Sequence, residues 1–361
     1  MALPTPVEAP ARMRALVLRG PRQFAVEELP VPGPPDPDEV LCRVDTTFIC
    51  GTDPHIINGD FPGFWPPAFP FVPGHEWSGV LVGAGDRARS LGWSAGDRVC
   101  AISHCGCGSC RNCLRGRYNL CLNYGHADRG HRQYGHITPG AYAEFIRVSV
   151  KSLVRVPDGF DLETAACVDP LSIALYTVKR SRLQPGDDLL VMGTGPQGLM
   201  AILVGRALGA GRIIAVGSGA RLDLARRLGA LPLDYREGRV AERVRELTDG
   251  LGAPAVLECA GTAAALRDCC LAASKGGVVS VIGIPHEDPS LPVKRIVLDE
   301  IEIVGDRANP NTAEAALALL VSGRIDLGPL LTHRFPLPEF ARALDVFERR
   351  VDGAVKVAVK P

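Results

Sequence analysis

Four cysteines within one short loop are the side chains of this chain best placed to bind a metal. They are Cys107, Cys110, Cys113 and Cys121. This spacing lets a tight loop wrap around one tetrahedral ion, and zinc is the best fit to an all-thiolate set. Because four protein ligands leave no position for a substrate, we expect a structural zinc that stiffens a lobe. We place the nearby thiol of Cys105 outside the shell, and a chance cluster of free cysteines is the alternative interpretation.

Two upstream segments supply a second, mixed set of possible metal ligands. Cys50 opens the motif C-G-T-D-P-H, and His75 and Glu76 stand in the motif G-H-E. A thiolate, an imidazole and a carboxylate from separate loops typify zinc sites that keep one coordination position open, and an open position permits catalysis. Each residue taken alone would more often be a packing or surface residue. Their combination favours a catalytic zinc.

A glycine-rich turn follows the apolar run at 188–192 and leads into an apolar helical stretch. In this context the first glycine permits a tight turn, the second the approach of a pyrophosphate, and the third close packing of helix on strand. The phosphates would rest on the helix N-terminus. A second strand-like run at 212–216 favours a dinucleotide fold over an isolated turn. The predicted cofactor contacts in this turn are Gly193, Gly195, Pro196, Gln197 and Gly198.

With these motifs the chain resembles the zinc-dependent medium-chain alcohol and polyol dehydrogenases, from about Met13 to its end. The closing segments T-H-R-F-P-L and D-G-A-V-K-V add to the match. Within the family the chain is most similar to the sorbitol, threonine and amino-cyclitol dehydrogenases. The resemblance implies an α/β protein in which a doubly wound parallel Rossmann sheet accompanies a mostly β, GroES-like catalytic domain. It also implies two zinc ions per chain and NADP or NAD as cofactor.

The elements that must position these residues divide the chain into segments. Residues 1–12 hold three prolines and no periodic pattern, and we expect a disordered extension. Short β-type runs between glycine and proline turns predict a catalytic domain with both zinc sites over 13–169. Alternating strands and helices predict the dinucleotide-binding domain over 170–306. By resemblance, 307–361 returns to the catalytic domain, and ligands favour the cleft between two such lobes.

The resemblance also implies a third protein ligand for the catalytic zinc. The polyol branch carries it in an E-P-L-S motif, and this chain has D-P-L-S beginning at Asp169. Aspartate is one methylene shorter than glutamate, so two ligand sets stay open. In one, Asp169 joins Cys50 and His75, with water in the fourth position. In the other, Glu76 joins them and Asp169 is held through water. Asp169 is alternatively a carboxylate that stabilises a helix N-terminus.

The implied reaction transfers a hydride from a secondary alcohol to the nicotinamide and gives the ketone, with zinc acting as a Lewis acid on the alcohol oxygen. By resemblance, Thr52 takes the proton through its hydroxyl, and the path continues along the cofactor ribose to His55, which exchanges it with solvent. We expect a polar substrate such as a polyol or amino-cyclitol. Residues 61–71 and 124–136 are candidate walls of its site, or simply packed surface loops.

Two other functions stay open at this point. One is a reductase of conjugated carbon–carbon double bonds on the same scaffold, which is disfavoured by the presence of Cys50, His75, Asp169 and Thr52. The other is a zinc ribbon that binds nucleic acid without catalysis. The chain has 40 basic and 40 acidic residues, so no net field attracts nucleic acid or an anionic membrane.

The end of the second dinucleotide strand bears on the choice of cofactor. An acidic residue normally holds the ribose hydroxyls about 20 residues beyond the glycine motif. Gly217 stands in that place, and Ser218 and Arg221 could donate hydrogen bonds to a 2′-phosphate. NADP is therefore favoured. The strand-to-helix loop is one residue shorter than the family norm, which keeps NAD open.

The remaining expectations concern location and assembly. No apolar run approaches the roughly 20 residues that span a bilayer, and no charged-plus-apolar signal precedes the cysteines. We therefore expect a cytoplasmic enzyme that acts on a small molecule, without a membrane or nucleic-acid partner, as a homodimer or homotetramer.

Overall fold

The computed structural model describes residues 9–285 and 287–361, and the chain folds into two compact units. The first contains the chain as far as Asp169 together with Leu331–Pro361, and the second is Pro170–Leu330. The return to the first unit thus begins later than the expected position 307. Thr312 Oγ1 donates to the carbonyl of Ser172 at 2.8 Å, and Asn309 Nδ2 donates to Oγ of Ser172 at 2.7 Å, contacts that hold this stretch on the second unit.

The first unit begins as a mostly β structure. Its strands are β1 Arg12–Gly20, β2 Gln23–Pro30, β3 Glu39–Phe48, β4 Glu76–Ala84, β5 Arg98–Ala101, β6 His104–Cys105, β7 Arg132–Gln133, β8 Phe145–Ser149 and β9 Leu153–Arg155. Short helices interrupt them: α1 Asp53–Asn58, α2 Asp86–Ser90, α3 Arg111–Leu114 and α4 Leu162–Ala165.

The segment 1–12, predicted as an N-terminal extension, overlaps the first strand. Its residues 1–8 lie outside the described part of the chain, but Arg12 already belongs to β1 and pairs with Pro30 of β2. The carbonyl of Ala11 accepts from the backbone N–H of Val31 at 3.2 Å, beyond the end of the ladder. Backbone pairing in this hairpin therefore extends into the proline-containing segment, which side-chain periodicity could not reveal.

The second unit is a parallel sheet covered by helices. Its strands are β10 Leu189–Met192, β11 Ile213–Gly217, β12 Leu231–Asp234, β13 Ala253–Glu258, β14 Ala273–Val281 and β15 Glu302–Gly305. They lie in the order β12-β11-β10-β13-β14-β15, and adjacent strands run parallel. The helices are α5 Val168–Arg180, α6 Pro196–Ala207, α7 Gly219–Arg227, α8 Val240–Leu247, α9 Ala263–Ala272, α10 Val293–Leu298 and α11 Ala313–Val321.

This strand order places the glycine-rich turn where a nucleotide is expected to bind. The order of the strands reverses at β10, which has β11 on one side and β13 on the other. Such a reversal opens a crevice at the carboxyl ends of the strands, where α/β sheets bind ligands. The turn at 193–198 follows β10 directly. Strand β12, with the sequence L-P-L-D, was not predicted, because it lacks a clear apolar run.

The C-terminal segment completes the sheet of the first unit. It forms β16 Leu331–Pro336, α12 Phe340–Arg349 and β17 Lys356–Lys360. β17 pairs parallel with β16 and antiparallel with β3, where Ala358 faces Phe48. The sheet order is β16-β17-β3-β4-β5-β9, and β8 also pairs with β3. This register brings the last strand next to the segments that carry the mixed ligand set.

Candidate metal centres and cofactor site

Three possible metal ligands meet where β3 ends and β4 begins. Cys50 follows β3, while Glu76 opens β4 opposite Phe48. The ligand atoms of Cys50, His75 and Glu76 all lie within 4.8 Å of one another. His75 and Glu76 are buried and Cys50 is partly exposed. A thiolate, an imidazole and a carboxylate grouped in this way suit a zinc ion that retains one position for another ligand.

A buried aspartate faces the imidazole in this cluster. Oδ1 of Asp53 lies 3.6 Å from Nδ1 of His75, and neither atom has a hydrogen-bond partner among the described residues. The other oxygen of Asp53 accepts from the backbone N–H of Cys50 at 2.8 Å and from the hydroxyl of Tyr142 at 2.6 Å. With Nδ1 facing this carboxylate, Nε2 is the nitrogen left for a metal.

The charges around His75 favour the binding of a cation. Burial works to lower the pKa of His75, but the nearby charges of Cys50 and Asp53 outweigh it and raise the pKa to about 10. The imidazole is thus held in a strongly negative environment. Because thiolate and carboxylate ligands are themselves anionic, a bound divalent cation would relieve the same imbalance.

A buried lysine provides the counter-charge of Glu76. Nζ of Lys356, on β17, forms an ion pair with Oε2 of Glu76 and donates to the carbonyl of Ile49 at 3.3 Å. The two side chains are only 1% and 2% exposed. Burial disfavours the charged amine, yet the adjacent Glu76 raises the pKa of Lys356. Sequence reasoning missed this residue, although a lysine inside the apolar run A-V-K-V-A-V was a usable signal.

Asp169 lies outside the three-residue group. Its side chain is buried, and Oδ1 accepts the backbone N–H of Ser103 at 3.1 Å. It stands in the first turn of α5. Of the two ligand sets left open by the sequence, the structure groups the atoms of the one that contains Glu76. Direct coordination by Asp169 stays a prediction.

Helix α1 carries both residues of the predicted proton path. Thr52 occupies the N-cap position, but its hydroxyl caps no backbone N–H and lies 3.5 Å from Nε2 of His75. His55 stands one turn further on, with 37% of its side chain exposed and Nδ1 at 2.6 Å from Oδ2 of Asp60. Positions three apart share one face of a helix. Thr52 therefore borders the metal ligands, and His55 reaches solvent.

The four loop cysteines form a separate and more regular cluster. Their sulfurs lie within 4.8 Å of one another, and the Cys107–Cys113 and Cys110–Cys121 pairs are each 3.9 Å apart. Tetrahedral zinc with bonds of about 2.3 Å requires sulfur separations of roughly 3.8 Å. The cluster therefore has the dimensions of a closed zinc site. Cys105 lies elsewhere, with its sulfur 3.7 Å from the carbonyl oxygen of Gly106.

Backbone N–H groups donate to the sulfurs of Cys107 and Cys110, whereas burial raises the pKa of Cys121 and that of Cys113, the latter to about 12. The N–H of Cys110 donates to Sγ of Cys107 at 3.3 Å, and that of Leu122 donates to Sγ of Cys110 at 3.4 Å. Burial works to raise the pKa of Cys107, but hydrogen bonds from the backbone N–H groups of Ser109 and Cys110 outweigh it and lower the pKa to about 5. Thiolates are the form that binds a metal.

The glycine-rich turn meets the steric requirements of a dinucleotide site. Gly193 has φ 109°, and a Cβ on Gly198 would lie 1.9 Å from the carbonyl oxygen of Gly193. Next to Gly195 there is open space, as the approach of a phosphate requires. Helix α6 begins at Pro196, and the buried Oε1 of Gln197 has no hydrogen-bond partner among the described residues. The turn thus fits a nicotinamide dinucleotide.

Gly217 ends β11, and its neighbour explains why the position has no side chain. A Cβ there would lie 2.1 Å from Oγ1 of Thr194. Thr194 therefore occupies the volume that an acidic side chain would need. Ser218 is the N-cap of α7, and its hydroxyl caps no backbone N–H. The structure places Arg221 in the first turn of that helix. Sequence reasoning missed the role of Thr194, which stands between the first two glycines.

Both candidate wall segments contribute rings near the mixed cluster. The ring of His136 has its centroid 4.3 Å from that of His75 and 4.9 Å from that of Trp65. The indole N–H of Trp65 donates to the hydroxyl of Tyr124 at 2.8 Å. Residues 61–71 and 124–136 therefore contact each other and extend to a ligand of the cluster.

Comparison with known proteins agrees with these features. Residues 36–158 match the family described as alcohol dehydrogenase GroES-like domain, and residues 196–322 match the zinc-binding dehydrogenase family. Sorbitol dehydrogenase from Bacillus subtilis (strain 168) is 32% identical over 357 residues, which cover 98% of each chain. The chain belongs to the zinc-dependent medium-chain alcohol dehydrogenase family.

Other members show how broad the likeness is. L-threonine 3-dehydrogenase from Pectobacterium carotovorum subsp. carotovorum (strain PC1) is 35% identical over 322 residues, 88% of this chain and 91% of the relative. The crystal structure of a zinc-binding dehydrogenase from Sinorhizobium meliloti 1021, bound to NADP, superposes with a TM-score of 0.88 and 30% identity. It covers 98% of this chain and 100% of the other.

Family membership confirms several of the predictions. The protein is an NAD(P)-dependent alcohol dehydrogenase that uses zinc, with a GroES-like domain and a Rossmann domain. An enzyme of this kind is not a non-catalytic zinc ribbon. In the described parts of the chain, no helix combines the length and apolar character that a membrane crossing needs.

Proposed function

We propose that this alcohol dehydrogenase oxidises a secondary alcohol on a polar skeleton, such as a polyol or amino-cyclitol, to the ketone. The proposal rests on the cluster of Cys50, His75 and Glu76 with the hydroxyl of Thr52 only 3.5 Å from His75. The sorbitol and threonine dehydrogenases among its relatives support a polar substrate. Zinc held by this cluster would polarise the alcohol oxygen, while NAD(P) accepts the hydride.

The side chains around the cluster have distinct tasks in this proposal. Thr52 accepts the alcohol proton at Oγ1 as its own hydroxyl proton moves on toward His55, which releases a proton to solvent while Asp60 holds its Nδ1. Asp53 orients His75, and Lys356 balances the charge of Glu76. A reductase of carbon–carbon double bonds needs no alcohol proton acceptor at this position, so the placement of Thr52 favours the dehydrogenase.

We also propose that the protein binds two zinc ions, one in each cluster, and prefers NADP to NAD. Gly217 and Thr194 leave no room for an acidic side chain that would repel a 2′-phosphate. Ser218 and Arg221 lie at the start of α7, where they could donate to that phosphate. The relative from Sinorhizobium meliloti was solved with NADP, which supports the same choice.

A homodimer, or a homotetramer built from it, is the proposed assembly. The edge strand β15 and the preceding helix α10 expose large apolar side chains, among them Val293, Val297, Leu298 and Ile303. An exposed apolar edge of this kind is typical of a surface that pairs with another chain. Light scattering on the native enzyme and on Val297→Glu would test it, and a monomeric native enzyme would contradict it.

The proposed reaction is tested by metal analysis and a substrate panel. Absorbance of the reduced nicotinamide is followed with polyols, amino alcohols, amino-cyclitols and simple secondary alcohols. Cys50→Ser is expected to remove one of two zinc ions and abolish turnover while the circular dichroism spectrum stays native. Full activity in Cys50→Ser, or reduction of an enone with no oxidation of any alcohol, would contradict the proposal.

A further inference from the structure

The hydroxyl of Tyr124 joins the loop after the cysteine cluster to the aromatic wall. It accepts the indole N–H of Trp65 at 2.8 Å and donates to Oε1 of Gln133. The phenol thus acts as acceptor and donor at once, which fixes the direction of both hydrogen bonds. Trp65 is only 9% exposed, and a buried indole N–H requires such a partner.

Trp65 stands at the centre of a set of packed rings. It stacks on Phe64 at 5.1 Å and meets the edge of Phe61 at 5.4 Å. On another side it contacts His136 at 4.9 Å, and His136 in turn lies 4.3 Å from His75. A single ring therefore separates the indole from the mixed metal cluster. A shift of Trp65 would change the space next to that cluster.

Tyr124 is itself held by the four-cysteine cluster. It follows Cys121 by three residues, and the intervening Asn123 donates from Nδ2 to Sγ of Cys107 at 3.4 Å. The backbone N–H of Tyr124 donates to the carbonyl of Cys121 at 3.2 Å. The position of the phenol is thus set by the same residues that form the closed metal site.

We infer that Tyr124 is a positioning residue for the substrate: its hydroxyl holds Trp65 against His136, and this pair of rings forms the wall that selects the alcohol. The inference rests on the proposed function, because the wall matters only if the alcohol reacts at the cluster of Cys50, His75 and Glu76. Aromatic rings have a negative face, which favours the C–H face of a carbinol skeleton, such as a cyclic polyol, over an anionic group. The closed metal site thereby contributes to substrate selection.

The substitution Tyr124→Phe isolates the hydroxyl. It retains the ring, which contacts His131 at 4.6 Å and Phe64 at 5.5 Å, but leaves the donor of Trp65 and the acceptor of Gln133 without their common partner. Trp65→Phe removes the other side of the same hydrogen bond. Tyr235→Phe makes the same chemical change at an exposed side chain of the second unit and serves as the control.

The test is a double-mutant cycle measured on two alcohols, a cyclic polyol and a small acyclic secondary alcohol. Tyr124→Phe and Trp65→Phe should each reduce the discrimination between the alcohols by about tenfold, the effect of one lost hydrogen bond. The change should lie in KM, with kcat within about twofold and zinc content and the KM for the cofactor unchanged. The double variant should lose no more discrimination than the more impaired of the two single variants. Tyr235→Phe should match the native enzyme.

Two results would overturn the inference. One is unchanged discrimination in Tyr124→Phe, and the other is a double variant whose losses are the sum of the single losses. A second measurement does not depend on turnover: acrylamide quenching of tryptophan fluorescence should increase in Tyr124→Phe, and Trp65→Phe identifies the contribution of that indole. If the native enzyme oxidised no alcohol, the proposed function would fail, whereas unchanged quenching would refute the positioning role by itself.

Discussion

The two clusters of possible metal ligands are built in opposite ways. In the cysteine loop, all ligands come from 107–121, and backbone N–H groups of the same loop donate to the sulfurs. In the mixed cluster, the ligands come from the end of β3 and the start of β4. Its counter-charge, Lys356, stands 280 residues from Glu76 in the chain. One cluster is a local structure and the other is a product of the whole first unit.

Because of this difference, the cysteine loop is suited to stabilising the fold and the mixed cluster to chemistry. A local loop whose four thiolates close the coordination shell can stabilise its lobe but offers no position for a reactant. The mixed cluster buries charged groups, which is unfavourable unless each is paired. Asp53 and Lys356 provide that pairing. The hydroxyl of Thr52 lies at the border of the mixed cluster. Substitutions in the two clusters should therefore affect different measurements.

The largest effect on folding is expected from Cys110→Ser. Structural zinc contributes on the order of 10 kcal/mol in small zinc domains, and we expect the free energy of unfolding to fall by several kcal/mol here. One zinc ion should be lost, as measured by mass spectrometry, together with a lower Tm. Leu114→Ser, at an exposed side chain of the same loop, is the control and should retain both. Native stability and full zinc content in Cys110→Ser would show that the loop is not a metal site.

Thr52→Val should have the largest effect on the reaction while leaving folding unchanged. It keeps the shape of the side chain but removes the hydroxyl near His75, and general acid–base groups contribute about 10²–10⁴-fold in rate. We expect kcat to fall by that factor, with the zinc content and the dissociation constant of the cofactor retained. His55→Ala should be milder, because solvent can replace an exposed histidine. A native rate in Thr52→Val would exclude the proton path.

Lys356→Met should destabilise the first unit through the mixed cluster. Removing one member of a buried ion pair typically lowers stability by about 3–5 kcal/mol, because the other charge is left uncompensated. Chemical denaturation should show this loss, and Lys360→Met on the same strand, a partly exposed lysine, should show little. Adding Glu76→Gln to Lys356→Met should restore much of the stability. If the double variant were as unstable as Lys356→Met, packing and not charge would explain the loss.

The same contrast explains what the sequence could predict. The grouping of the four loop cysteines and the position of the glycine-rich turn could be predicted from spacing alone, because both depend on residues that are neighbours in the chain. The roles of Asp53 and Lys356 were not found, because they depend on pairing between distant segments. The return to the first unit was placed at 307 instead of Leu331, since the sequence does not show contacts such as the side-chain hydrogen bond from Thr312 to Ser172, which hold the intervening stretch on the second unit. Local motifs can therefore be predicted from the sequence, whereas the pairing of buried charges can be identified only in the folded structure.

The smallest effect is expected on the choice between NADP and NAD. This choice depends on the residue at the end of β11 and on its contact with Thr194. Gly217→Asp alone should weaken NADP without improving NAD, because the new Cβ would lie 2.1 Å from Oγ1 of Thr194. The pair of changes Gly217→Asp and Thr194→Gly removes that clash, and the carboxylate can then accept from the ribose hydroxyls and repel a 2′-phosphate. The ratio of kcat/KM for NADP and NAD should shift toward NAD only in the double variant, by about tenfold or more, the effect of a charge-assisted hydrogen bond. Thr194→Gly alone is the control. A native preference for NAD that neither variant changes would show that the end of β11 does not select the cofactor.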